Sequence, residues 1–243
     1  MFTDAYDVLY TETSRVMRLK FDALGAPLLF SGECGCWPQV TYDKGATCRD
    51  KYPHSPTPYR YLNSGSWMGR AGVAARFLRT IVDEASRGKS GASFHKLNDQ
   101  ELASDLYFRG TFGPELRLDH FAQLFQAMHA VRDKSAVPDC DPWPALTATD
   151  GVYRNSVTHS RPSVYHFNGG GKRHHLNMEQ EMWWKRCSEA NSATAVDEVE
   201  QTRMRFGADM RTFDEICPGH LAATRSSAQR ECGAELVRGL AGA

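Results

Sequence analysis

No stretch of the 243-residue sequence approaches the roughly 20 consecutive apolar residues that a membrane-spanning helix needs. The N-terminus, Met1 to Tyr10, has no basic segment followed by an apolar one, so no signal peptide is read there. Excess charge of one sign is missing too. The 29 Lys and Arg balance 29 Asp and Glu, which argues against nucleic acid as a partner and against attraction to an acidic membrane. There is no internal repeat. The seven cysteines include no C-x-x-C pair, and their odd number leaves at least one unpaired. Gly169-Gly170-Gly171-Lys172 lacks the full P-loop spacing and is followed by Arg173, so it reads as a phosphate clamp without an NTPase behind it.

What is present is a chain with 41% apolar and 24% charged side chains, enough for one globular domain plus an appendage. Met1–Phe2 is strand-like and runs into the acidic turn Thr3-Asp4-Ala5-Tyr6-Asp7. A short amphipathic helix follows from Ser14, with Val16, Leu19 and Leu24 on its inner face, and then the buried strand Pro27–Phe30. Helix followed by short buried strand is an α/β pattern. Gly32 to Tyr61 is a loop rich in Cys, Pro and Tyr, of a length that usually carries function. Tyr61-Leu62-Asn63-Ser64-Gly65 precedes a helix from Ala71 to Ser86, where Val73, Phe77, Ile81 and Val82 keep helical spacing. A second helix begins near Asn98-Asp99-Gln100 and carries Leu102 and Leu106 inward. Leu116–His120 and Ala122–Phe125 read as short strands around a turn. Val137–Pro144, with three prolines and two aspartates, reads as a surface loop, and Val164–Phe167 as the last strand. The domain is expected over residues 1–175. Residues 176–243, polar and helix-compatible with Trp183-Trp184 as the large apolar anchor, are expected to form a helical, partly disordered tail.

Several residues can carry chemistry. Asp4 and Asp7 lie three apart in a turn that can aim both carboxylates to one side, and Mg²⁺ or Mn²⁺ wants such oxygens with room left for phosphate. On spacing alone, a turn cap explains them as well. His166 ends an apolar strand just before the glycines, where backbone without Cβ approaches a phosphate closely and Lys172 supplies a counter-charge. A lone strand histidine is otherwise a structural hydrogen-bonder. Asn98 and Asp99 start a helix, where a side-chain oxygen satisfies free N–H groups and a negative charge is favoured by about 0.3–1 kcal/mol. The functional alternative sets Asp99 against a reacting sugar, activating an acceptor hydroxyl or stabilising positive charge at the anomeric carbon. Glu33 and Trp37 flank the start of the cysteine loop, and the Trp37 ring suits a sugar face or a core. Cys34, Cys36 and Cys48 lack a fourth zinc ligand at a usual spacing. A disulfide between Cys48 and either Cys34 or Cys36 would staple the loop from Glu33 to Lys51, contribute roughly 3 kcal/mol, and require an oxidising compartment. His174-His175 and Trp183-Trp184 are assigned structural or neutral roles.

The segments Phe2-Thr3-Asp4-Ala5-Tyr6-Asp7-Val8, Phe30-Ser31-Gly32-Glu33, Cys36-Trp37-Pro38, Leu62-Asn63-Ser64-Gly65, Asn98-Asp99-Gln100, Leu118-Asp119-His120 with Phe125-Gln126, and His166-x-Asn168-Gly169-x-x-Lys172 occur in one order. That order resembles the glycosyltransferase domain of the procollagen lysyl hydroxylase family over roughly residues 1 to 172. The resemblance implies a GT-A-like (Rossmann-like) α/β fold, with Mn²⁺ held by Asp4, Asp7 and His166 against the diphosphate of a UDP-sugar. It implies that Asn168, Gly169 and Lys172 hold the diphosphate. Glu33 and Asn63, with Ser64 and Gly65 next to Asn63, would lie near the donor sugar, and Trp37 would sit on a gating loop. The family's acidic run maps onto Asn98 and Asp99, with Asn98 replacing a carboxylate and Asp99 left as the better catalytic group.

The implied activity is transfer of a hexose, glucose or galactose, from a UDP-hexose donor to hydroxylysine-linked (collagen-type) or similar protein or glycopeptide acceptors. The implied setting is the endoplasmic reticulum or secretory lumen. The nucleotide-binding half that precedes the D-x-x-D in such folds is almost missing, so an N-terminally truncated fold is expected. With it comes the alternative of a catalytically inactive sugar-nucleotide-binding or partner-binding module, whose exposed sheet edge leaves an oligomer open. A metal-dependent hydrolase built from the same ligands is a third reading. No H-x-D or H-x-E triplet is present, so lysyl hydroxylation is not expected.

Overall fold

The computed structural model describes residues 1–38, 48–87, 98–131, 140–149, 152–181, 203–206 and 209–212. The chain divides into two units, Met1–Asn177 and Met178–Ala243. In chain order the elements are β1 (Phe2–Thr3), β2 (Val8–Tyr10), α1 (Ser14–Leu24), β3 (Leu28–Glu33), α2 (Cys48–Lys51), β4 (Tyr61–Gly69), α3 (Ala71–Arg87), α4 (Asp99–Phe108), β5 (Leu116–Asp119), β6 (Phe125–Ala127), α5 (Pro142–Ala145), β7 (Leu146–Thr149), β8 (Val152–Asn155), β9 (Val164–His166), α6 (His175–Glu181), β10 (Arg203–Phe206) and β11 (Asp209–Thr212). The mixture of helices and short sheets is compatible with a GT-A-like domain.

Two sheets of the first unit position the site. One has the order β1-β4-β3-β5, with β3 antiparallel to β4 and parallel to β5; the other has the order β2-β9-β6. Strand β3 lies between neighbours and is buried along its whole length; its first half, Leu28-Leu29-Phe30, is the apolar run without alternation that such a position favours. Its side chains alternate between two cores. Leu28 and Phe30 pack with Tyr61, Leu62, Phe77 and Leu106, whereas Leu29 packs with Met17, Phe21, Phe125 and Val164. Burial of each such side chain contributes about 1.5–3 kcal/mol, so β3 anchors both layers.

Helix α1 starts where expected, with the Thr13 hydroxyl accepting from the Val16 N–H, and ends at Gly25, whose φ of 63° suits glycine. Its buried face is Met17 and Phe21 with Leu24 at the margin, while Leu19 is 61% exposed. The helix is rotated because the i, i+4, i+7 row holding the phenylalanine buries more apolar surface than the row through Val16 and Leu19. In α3, Phe77 is buried with Val73 and Ile81 against it, but Val82 faces solvent. Leu106 of α4 is buried, alongside Ala103 and Gln100.

Of the two short strands expected around a turn, the first is β5, whereas the second starts only at Phe125, as β6. Strand β5 stays in the first sheet, and the chain passes to β6 of the second. The buried Asp119 carboxylate makes this handover by accepting N–H groups from Gln123 (2.9 Å), Leu124 (2.7 Å) and Phe125 (3.0 Å). Of the expected loop Val137–Pro144, Cys140 is buried and Pro142 begins α5, capped by Asp141 accepting from the Trp143 N–H at 3.1 Å; residues 137–139 lie outside the described residues.

Of the tail expected to be helical, the described start is helix α6, whereas residues 203–206 and 209–212 form the antiparallel pair β10–β11, with Phe206 opposite Asp209. Arg203-Met204-Arg205-Phe206 alternates with a period of two, a local strand signal inside polar sequence. Trp183-Trp184 lies outside the described residues. His174 and His175 have aromatic partners: His174 stacks on Trp143 (4.3 Å between centroids) and His175 on Phe167 (4.6 Å).

Candidate active site

The D-x-x-D turn is placed by the strands on either side of it. Strand β1 pairs with β4, and the Asp4 N–H donates to the Gly65 carbonyl at 2.8 Å. Strand β2 pairs with β9 so that Val8 faces His166, and the Phe167 N–H donates to the Asp7 carbonyl at 2.7 Å. The turn therefore bridges the two sheets where Gly65 and His166 meet. One ligating atom from each of Asp4, Asp7 and His166 lies within 4.8 Å of the others. Gly65 has to be glycine here, because a Cβ would sit 2.6 Å from Asp4 Oδ2 and closer still to the His166 ring.

The histidine is oriented as a ligand would be. Asn63 Oδ1 lies 3.0 Å from His166 Nδ1 and also accepts the Gly65 N–H at 3.0 Å. An acceptor at Nδ1 puts the ring proton there and leaves the Nε2 lone pair facing Asp4 Oδ2 (3.2 Å) and Asp7 Oδ1 (3.6 Å). Burial lowers the His166 pKa despite the nearby carboxylates, and burial raises that of Asp4, with the charges of Asp7 and Asp99 adding to the rise. Two carboxylates and an unprotonated imidazole nitrogen that converge in this way suit a divalent cation. Lys172 Nζ stands 3.5 Å from Asp7 Oδ2 on the same side.

Behind this cluster, Glu33 is only 2% exposed and organises the amides around it. Its Oε1 accepts from Gln100 Nε2 at 2.7 Å and its Oε2 from Asn168 Nδ2 at 2.8 Å. Gln100 Nε2 also donates to the Trp37 carbonyl (2.9 Å), and its Oε1 accepts the Ser64 N–H (3.1 Å). Burial pushes the Glu33 carboxyl up to about 7, although these hydrogen bonds oppose the rise. Asn168 Oδ1 accepts the N–H groups of Met128 and His129. One carboxylate thus ties β3, α4 and the glycine turn together.

Glu33, Gln100, Asn168 and His129 line one cavity of about 810 Å³ with the carboxylate–histidine cluster, and so does every residue proposed from the sequence for catalysis, donor binding or metal. Asp99 and Asn98 are at its edge; Asn98 also caps α4, its side chain accepting the Glu101 N–H at 3.1 Å. Trp37 is 61% exposed on the lining. Two contributors have no standing as candidates in the sequence. Gln100 hides as the second residue of a helix, where a polar side chain is ordinary. His129 follows β6 without any recognisable pattern, although it too lines the cavity.

The cysteine pairing differs from one expected alternative. Cys34 is bonded to Cys140, 106 residues away, and not to Cys48. Cys34 and Cys140 share a buried cluster with Tyr59 and Ala122, against which Val131 packs, a contact between distant segments that loop spacing cannot show. Cys36 is disulfide-bonded as well, to a side chain outside the described ones.

Residues 1–185 match the family model described as the PLOD GT domain. The procollagen-lysine,2-oxoglutarate 5-dioxygenase of Drosophila melanogaster is 33% identical over 174 residues, covering 71% of this chain and 21% of that protein. The multifunctional procollagen lysine hydroxylase and glycosyltransferase LH3 of Homo sapiens is 29% identical over 178 residues, covering 71% of this chain and 20% of that protein. The chain thus spans about a fifth of the length of these curated relatives. On a family match that covers both strands of the carboxylate turn, the glycine turn and every lining residue of the cavity, this chain belongs to the PLOD glycosyltransferase-domain family.

Proposed function

We propose that the chain transfers a hexose, glucose or galactose, from a UDP-sugar to hydroxylysine-linked or similar protein acceptors, with Mn²⁺ as its metal. The observation that carries this reading is the convergence of Asp4, Asp7 and the unprotonated Nε2 of His166 within 4.8 Å. When bound there, Mn²⁺ offsets the charge that builds on the departing UDP. The remaining work falls to the protein. Lys172 and the turn from Asn168 hold the diphosphate, and Asn63 keeps His166 in the ligating tautomer. Glu33 acts through Gln100 and Asn168, orienting the amides that line the donor-sugar side. Asp99, on the cavity edge, faces the reacting sugar; either taking the acceptor proton or balancing charge at the anomeric carbon requires its ionised form. Disulfides at Cys34 and Cys36 suit folding in the oxidising secretory lumen.

Turnover of UDP-hexose with a galactosyl-hydroxylysine peptide tests the reading. Mn²⁺-dependent transfer should occur and should fall at least a hundredfold in Asp4→Ala, in line with loss of a group that stabilises transition-state charge. Transfer that survives Asp4→Ala, or hydrolysis indifferent to every acceptor, would refute it.

A further inference from the structure

His129 is held more deliberately than its place after a short strand suggests. The Gly170 N–H donates to its Nδ1 at 2.9 Å, so in the neutral ring the proton sits on Nε2. The ring occupies space that glycines leave open: Gly169, at φ 50°, would bring a Cβ within 2.6 Å of Nδ1, and Gly170 within 3.5 Å. On the other side a Cβ at Gly35 would lie 3.8 Å from His129 Cδ2. The backbone there is stapled from both ends. Asn168 Oδ1 accepts the His129 N–H at 3.0 Å, and Val131 pairs with Cys140, which is bonded to Cys34 beside Gly35. The ring is therefore clamped between the cysteine loop and the glycine turn. Among the described residues nothing hydrogen-bonds Nε2, and the side chain lines the cavity that holds Asp4, Asp7, His166 and Lys172.

We infer that His129 is a donor-binding residue whose Nε2–H donates to the diphosphate of the sugar nucleotide beside the glycine turn. The inference rests on the proposed function and deepens it. Gly170 spends its N–H on the histidine instead of on phosphate, so the turn passes its hydrogen-bonding capacity outward through the ring. A neutral donor there adds a directed hydrogen bond beside the point charge of Lys172.

The test compares wild type, His129→Phe and Asp4→Ala as the full chain, with inorganic pyrophosphate as the probe in the presence of Mn²⁺. Phenylalanine keeps a ring between the two loops and removes both nitrogens. His129→Phe should weaken pyrophosphate about tenfold or more, the range for one hydrogen bond to a charged group, while leaving the affinity for Mn²⁺ alone unchanged. A purely structural role would lower the melting temperature and leave pyrophosphate affinity as it was, which overturns the inference but not the proposed function. Wild type that binds no pyrophosphate with Mn²⁺, or Asp4→Ala that binds Mn²⁺ as wild type does, overturns both. If His129→Phe does not fold, ring-nitrogen NMR of the wild type decides. An Nε2–H tautomer whose signal moves on adding pyrophosphate supports the inference, and an Nδ1–H tautomer or an unmoved signal contradicts it.

Discussion

Replacing Glu33 by glutamine should change how the stability of this protein depends on pH. The carboxyl is buried between β3, α4 and the glycine turn, and burial raises it from an ordinary value of 4.5 to about 7. A carboxyl raised in the folded state binds a proton there that the unfolded chain has already released. Stability therefore falls as pH rises from about 4.5 to about 7 and stays lower above that. The gap amounts to about 3 kcal/mol for a fully buried group. Glutamine keeps the shape and cannot ionise, so this dependence should vanish in Glu33→Gln. Urea unfolding of the metal-free chain at pH 5 and pH 8, under oxidising conditions, reads the difference directly. The gap between variant and wild type should move by about 2.5 kcal/mol in favour of the variant at the higher pH, slightly less than the full gap because pH 5 already lies above the unfolded value. Curves that stay parallel across that range would show that Glu33 is ionised without penalty in the folded protein.

Gly65→Ala should abolish Mn²⁺ binding while the fold persists, since the added Cβ lies 2.6 Å from Asp4 Oδ2 and against the His166 ring; circular dichroism and a Mn²⁺ titration check the two halves. Cys140→Ser should lower stability by about 2–5 kcal/mol, as expected for a native disulfide closing a long loop, and chemical denaturation with and without reductant measures it.

Much of the architecture is legible because it depends on local pattern. The apolar run Pro27–Phe30 reads as a buried strand and falls largely in β3, and the amphipathic segment from Ser14 is α1. The candidate metal ligands were picked out for a different reason: Asp4, Asp7 and His166 fall in motifs whose order matches a family, and strand pairing brings the three side chains together. What escapes the sequence is set by tertiary packing. Which row of α1 faces inward depends on the core it meets. Cys34 finds Cys140 106 residues away, where both pack in one buried cluster with Tyr59 and Ala122. His129 becomes a cavity residue only because glycines elsewhere in the chain leave room for its ring.

Electron paramagnetic resonance of Mn²⁺ titrated into the chain tests the metal centre most directly, because bound ion loses the sharp signal of free Mn²⁺. The account predicts saturable binding of one ion per chain, lost in Asp7→Ala and in His166→Ala and weakened in Asn63→Leu, which frees His166 to change tautomer. Binding unaffected by all three substitutions, or no saturable binding by the wild type, would contradict it.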